Sequence, residues 1–159
     1  MSSQVERPHR WGPTLLIAAT FALYLFLSRP TAAPAGWTGD YEAAGKEAAA
    51  SQKHIVIAFH AAGCPPCAAM DRTVLAAPEV REALHGFVPL RVDANSHVEL
   101  ARRYAVLGTP AYVVTKDGKE LNRREGYLSI AEFVAFLKEN SPGVAIVPSA
   151  AAPSSTTAP

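Results

Sequence analysis

Ile55-Val56-Ile57-Ala58-Phe59-His60-Ala61-Ala62-Gly63-Cys64-Pro65-Pro66-Cys67-Ala68-Ala69-Met70 is the stretch whose reading decides the fold. Its first five residues are apolar and rich in β-branched side chains, the pattern of a strand buried on both faces. Ala61-Ala62-Gly63 reads as a short loop of small residues, and Ala68, Ala69, Met70 and Leu75 favour helix. The two cysteines therefore fall where a strand hands over to a helix. At that place unpaired N–H groups and the positive end of the helix dipole lower a thiol pKa. Pro65 and Pro66 are tolerated there, because first-turn N–H groups have no intrahelical partner to lose. A thiolate at Cys64 attacks a disulfide, and Cys67 then displaces the product from the mixed disulfide. Thiol–disulfide exchange is the leading reading.

Other uses of two cysteines fit less well. A structural zinc site takes four ligands, and Cys64 and Cys67 are the only cysteines in the chain. His54, His60, His85 and His97 show no repeated metal-type spacing, so no metal site is expected. A structural disulfide across so small a loop stabilises little. The chain has 159 residues, 49% of them apolar, and a formal charge of +1, which suits one domain with appendages. That charge balance gives no electrostatic case for nucleic acid.

Residues 1–10 are polar, with Arg7 and Arg10 ahead of the first long apolar run, and read as a cytoplasmic N-terminus. The uncharged segment from Trp11 onward, assigned as 11–28, reads as a signal-anchor or signal peptide. An apolar run of about 17 residues is short for a spanning helix and long for a signal-peptide core. Ala33-Pro34-Ala35 resembles a cleavage site, whereas Trp11 and Arg29 suit interfacial anchoring at the two ends. The expectation is an uncleaved membrane anchor, or release of a soluble form if the Ala33–Ala35 site is cut. Residues 29–36 read as a tether, 37–140 as the folded domain, and 141–159 as a disordered Pro/Ala/Ser/Thr tail.

Within the folded part, Asp40 caps an expected helix from Tyr41 to about Gln52. Pro78 opens a short helix ending near Gly86, followed by a strand over Phe87–Val92. Ser96 is expected to cap a helix through Tyr104, with Glu99 at the capping-box position. Ala111–Thr115 and Lys119–Arg124 read as strands joined at Asp117-Gly118, and Ser129 caps a last helix with Glu132 three residues on.

This order of elements, with Gly108-Thr109-Pro110 before the third strand, resembles the thioredoxin family. Trp37-x-x-Asp40-Tyr41-Glu42, Met70-Asp71-x-x-Val74-Leu75 and Pro78-Glu79-Val80 are similar to its exported branch, which includes the C-terminal domain of bacterial membrane thiol:disulfide interchange proteins. The resemblance implies an α/β thioredoxin-like fold with a four-stranded mixed sheet, ordered 87–92, 55–59, 111–115, 119–124, and helices on both faces. It implies Cys64 as nucleophile, Cys67 as resolving thiol, a cis bond at Pro110, and Thr109 with Pro110 as the substrate-docking edge. No cofactor is implied beyond the Cys64–Cys67 disulfide itself.

Three positions depart from the family pattern. Gly63 stands where a tryptophan usually precedes the first cysteine, which opens the substrate-facing surface. Ala58 and Pro89 stand where a buried acid and its lysine partner are usual, so a buried base for Cys67 is expected to be missing. His60, on the same face of the strand as Ala58, is a candidate substitute. Pro65 and Pro66 lack N–H groups and are expected to tune the couple towards reduction. The function expected is thiol–disulfide exchange with protein substrates, as reductant or electron relay, by a monomer. Its place is the periplasmic side of a bacterial inner membrane, and a membrane electron donor recharges it. Two alternatives are a peptide-binding module without redox turnover and a Cu(I)-type carrier using the cysteines and a histidine.

Overall fold

The computed structural model describes residues 12–27 and 33–143. The expected cytoplasmic N-terminus, half of the tether and nearly all of the tail lie outside the described residues. The chain divides into two compact units, Met1–Thr31 and Ala32–Pro159.

In the first unit, helix α1 spans Gly12–Leu27. Its 16 residues rise about 24 Å at 1.5 Å each, short of the roughly 30 Å hydrocarbon core. Among the described residues no helix is long and apolar enough to cross a membrane. The described residues therefore show no transmembrane anchor.

In the second unit, α2 (Tyr41–Ser51), β1 (His54–His60) and α3 (Pro65–Ala69) follow one another. A π turn over Met70–Val74 continues α3, and α4 (Pro78–Ala83) runs into a 3-10 turn at Leu84–Gly86. Then come β2 (Phe87–Asp93), α5 (Val98–Arg103), β3 (Ala111–Lys116), β4 (Lys119–Glu125) and α6 (Ile130–Glu139). The sheet order is β2-β1-β3-β4, as the sequence predicts. β1 pairs parallel with β2 and antiparallel with β3, and β3 pairs antiparallel with β4. Asp117 and Gly118 both take positive φ, 51° and 74°, as a two-residue hairpin turn between twisted strands requires.

Strand alternation divides the core. Val56 and Ala58 of β1 face Met70, Val74, Val80, Phe133 and Phe136, whereas Ile55, Ile57 and Phe59 face Ala44, Ala48, Ala101 and Tyr104. Edge-on packing of Tyr112 against Phe133, at 5.0 Å between centroids, ties β3 to α6. Ser129 makes the expected capping box with Glu132, worth roughly 0.5–2 kcal/mol against alanine. Edge strand β4 carries Lys119, Glu120, Arg123, Arg124 and Glu125, charges that discourage edge-to-edge association. At the other edge, Thr38 bridges to β2 through Thr38 N to Pro89 O (3.0 Å) and Arg91 N to Thr38 O (2.8 Å).

The start of α5 differs from expectation. His97, not Ser96, is its cap residue, and no side-chain cap bond forms. Asp93 organises the turn instead: its Oδ1 takes the Asn95 N–H at 2.8 Å and its carbonyl the His97 N–H at 3.0 Å. Glu99 consequently pairs with Arg102 (3.2 Å) rather than reaching back to a cap.

Candidate active site

β1 delivers the chain to the site, and Gly63 turns it. At φ +72° Gly63 sits in the left-handed region that glycine adopts without a Cβ penalty. The turn sets Cys64 in extended conformation as the N-cap of α3. Cys64 Sγ accepts the N–H of Cys67 at 3.3 Å. A cap side chain is served by the second or third helical N–H. Pro66 holds the second position and has none, so of the two prolines it is Pro66 that subtracts a donor.

Across from Cys64 lies the loop before β3. Thr109 Oγ1 donates towards Cys64 Sγ at 3.6 Å, and the Thr109 carbonyl approaches the same sulfur at 3.7 Å. The sulfur carries no hydrogen while bonded to Cys67, so the carbonyl approach is a contact in this state. Thr109–Pro110 is a cis peptide, and the Gly126 N–H donates to the Pro110 carbonyl at 2.8 Å. Cys64 and Thr109 are half-buried, whereas Pro110 is buried and Cys67 is 3% exposed. Attack from outside therefore reaches Cys64 first.

Below Cys67 polar and apolar side chains meet. A cavity of about 10 Å³ is lined by Cys67 and the polar His60, Asp71, Arg91 and Tyr112, and otherwise by apolar residues, Ala58 and Pro110 among them. Asp71, in the π turn four residues beyond Cys67, faces Arg91 of β2. Asp71 Oδ2 takes Arg91 Nη2 at 2.6 Å and Oδ1 takes Nε at 3.2 Å, a two-pronged pair whose side chains are each 8% exposed. Ladder register sets Arg91 beside Ala58 and Asp93 beside His60. Where a larger residue would fill the space, the methyl of Ala58 leaves room for the pair. The sequence leads one to expect no buried acid near Cys67; Ala58 indeed lacks one, but Asp71 brings a buried carboxylate, paired with Arg91, to the same cavity.

The surroundings bias two titrating groups. Burial, and then the Arg91 charge, hold His60 below its ordinary pKa, against smaller opposing contributions from Asp93 and Asp71. Burial, and then the charges of Asp71 and Tyr127, push the Tyr112 phenol above its usual range, so it stays protonated. Among the described residues no group of three or more His, Cys, Asp or Glu is placed to hold a metal ion.

A family model described as a thioredoxin-like domain matches residues 41–141. The chain belongs to the thioredoxin-like family. Within the matched stretch Cys64 and Cys67 form a Cys-x-x-Cys disulfide. Thioredoxin Y2 of Arabidopsis thaliana is 33% identical over 92 residues, covering 57% of this chain and 53% of that protein. DsbD of Neisseria meningitidis, a thiol:disulfide interchange protein, is 30% identical over 93 residues, 55% of this chain but only 16% of that protein. Among solved structures, a thioredoxin from Thermus thermophilus superposes with TM-score 0.57 at 32% identity, covering 64% of this chain and 84% of that one. The oxidised C-terminal domain of Neisseria meningitidis DsbD superposes with TM-score 0.56 over 65% of this chain and 98% of that one; at 23% identity it speaks for the fold alone. The chain spans about half the length of the curated thioredoxins it matches.

The thioredoxin-like fold gathers Cys64, Cys67, Gly63, Pro65, Pro66, Thr109 and Pro110 at one end of the sheet, with His60 beneath. Sequence reasoning missed Asp71, Arg91 and Tyr112 as members of this site. Asp71 left a signal: a carboxylate at helical spacing from Cys67, beside the apolar Met70 and Val74. Arg91 left only its register beside Ala58, and Tyr112 reads as an ordinary core aromatic.

Proposed function

We propose that the protein is an exported reductant or electron relay that exchanges disulfides with protein substrates. The observation that carries this reading is the supply of donors at Cys64. Its sulfur receives one N–H from the helix turn, where Pro66 withholds a second. Fewer donors mean a less stabilised thiolate and a more reducing couple. The reduced Cys64–Cys67 pair gives two electrons to a substrate disulfide: Cys64 forms the mixed disulfide, Cys67 closes the internal one, and the substrate leaves as two thiols. Thr109 and Pro110 form the docking edge, open on the Gly63 side. The potential expected lies near the −270 mV of thioredoxin rather than the roughly −120 mV of the strongest periplasmic oxidant.

Export is supported by Arg7 and Arg10 ahead of the apolar helix α1, and the periplasmic side of a bacterial inner membrane by the likeness to DsbD. An exported compartment is oxidising, so such a reductant needs a membrane electron donor as partner. Equilibration against glutathione buffers tests the direction of flow. A chain that stays reduced in a mostly oxidised buffer would leave an oxidase or isomerase in place of the reductant. N-terminal sequencing of the exported protein tests cleavage at Ala33–Ala35.

A further inference from the structure

Tyr112 carries a buried hydroxyl with no protein partner. The residue is 1% exposed, and its oxygen has no hydrogen-bond partner among the described residues. Such a group costs stability unless water serves it. Tyr112 lines the cavity beneath Cys67, together with His60, Asp71 and Arg91. At about 10 Å³ that space takes about one water molecule, and the polar groups in its partly apolar lining, Tyr112, His60, Asp71 and Arg91, can supply the two to four partners a buried water needs.

We propose that this cavity is a single-water site, and that its water, held by the Tyr112 hydroxyl, carries the proton of Cys67 to His60 when the mixed disulfide is resolved. The proposal rests on the redox reading above and specifies its second step. In the mixed disulfide Cys64 is bonded to the substrate sulfur and Cys67 is a thiol. Cys67 gives its proton to the water, and the water passes one to the His60 imidazole. The Cys67 thiolate then attacks Cys64 Sγ. The Cys64–Cys67 bond forms, the bond to the substrate sulfur breaks, and the electron pair leaves on that sulfur. His60, half-buried, returns the proton to solvent.

His60 suits the role better than Asp71. Both carboxylate oxygens of Asp71 are taken by Arg91, at 2.6 and 3.2 Å. The groups acting on His60 are Arg91 and Asp93 from β2 and Asp71 from the π turn, and with burial they leave it neutral and able to accept at neutral pH. Tyr112 is a positioning residue: it fixes the water and touches neither sulfur in the reaction.

The experiment follows the full chain after reduction and mixing with oxidised glutathione. It separates the formation of the Cys64–glutathione mixed disulfide from the release of glutathione by Cys67. Tyr112→Phe should slow release by about tenfold or more, within the 10²–10⁴ that a complete general base contributes. It should also move the pH profile of release to higher pH, because the thiolate must then form without the relay. His60→Gln should slow release likewise, and Cys64 alkylation should stay at the wild-type rate in both variants. Wild-type release should show a curved proton inventory in mixed heavy water, a readout that needs no variant to fold. Release by Tyr112→Phe at the wild-type rate and pH profile, or a linear inventory, would overturn the relay. Failure of the wild-type chain to form or resolve the mixed disulfide would instead overturn the redox reading, and the relay with it.

Discussion

The two cysteines are three residues apart and bonded to each other, yet they sit in unlike surroundings. Around Cys64 the protein offers backbone and solvent: one N–H from Cys67, the hydroxyl and carbonyl of Thr109, and an open flank at Gly63. Beneath Cys67 it offers buried side chains: the Asp71–Arg91 pair, His60 and Tyr112 around a water-sized cavity. In the proposed exchange reaction the difference separates two tasks. Cys64 must be reachable and partly ionised, which local backbone geometry supplies. Cys67 must stay hidden until the mixed disulfide forms and must then lose a proton, which takes groups from four separate elements.

Four measurements break or sharpen this contrast. The largest effect belongs to the cysteines themselves. Cys64→Ser should abolish insulin reduction, whereas Cys67→Ala should retain attack and accumulate a mixed disulfide visible on non-reducing gels. Alkylation of the reduced chain, followed by peptide mapping, should label Cys64 ahead of Cys67; the reverse would exchange their roles.

Next in size is the ion pair. Asp71→Leu leaves the buried Arg91 charge without its carboxylate, which typically costs 3–5 kcal/mol. About 3 kcal/mol is expected here. Urea denaturation reads the loss, and Asp71→Leu with Arg91→Met together should recover most of it, since a buried pair and its apolar replacement are often of similar stability. A single variant as stable as the wild type would show that the pair is not buried in solution.

Pro66→Ala acts on the Cys64 side alone. It restores the N–H at the second helical position, and one charge-assisted hydrogen bond is worth about 1.5–3 kcal/mol. At 30 mV per 1.4 kcal/mol the couple should become more oxidising by about 30–65 mV. Pro65→Ala should shift it less, since the first helical N–H does not serve the cap. Equal shifts would undo the distinction drawn between the two prolines.

The smallest effect is that of His60 on stability. Its pKa is lowered in the folded protein, so the unfolded chain binds the proton more readily. Stability from this group is present above the unfolded value of about 6.5 and is lost as pH falls through it towards the folded value. The difference in melting temperature between wild type and His60→Gln should therefore shift against the wild type between pH 7 and pH 5. A difference that does not change over that range would show that burial does not hold His60 neutral.

How far the sequence is legible follows the same division. The Cys64 side is written locally. Gly63, Cys64, Pro65, Pro66 and Cys67 are contiguous, and a strand, a loop and a helix N-terminus follow from their types and order. Thr109 and Pro110 lie far along the chain, but the resemblance to the thioredoxin family announces their place. On the Cys67 side, Ala58 and Pro89 signal that the usual residues are absent, and only the helical spacing of Asp71 from Cys67 pointed to the pair found there. The cap of α5 was misread for a related reason: Ser96 has the right type for a cap, but Asp93 had already committed the turn through its own bonds to Asn95 and His97.

By itself, then, the sequence determined the order of elements and the place of the Cys64–Cys67 pair, because each depends on residues close in the chain or on a periodicity of two or 3.6; the resemblance supplied the sheet order, and the cap geometry singled out Pro66 from Pro65. Only the tertiary structure decided what lies beneath Cys67. Asp71 and Arg91 are twenty residues apart, and they meet because the π turn and the parallel register of β1 and β2 bring helix and strand together over the small side chain of Ala58. Burial fixes the rest: a carboxylate, a guanidinium and a phenol that would be unremarkable in water become a defined site once the sheet and α3 close over them, since a low-dielectric interior makes each polar group find a partner.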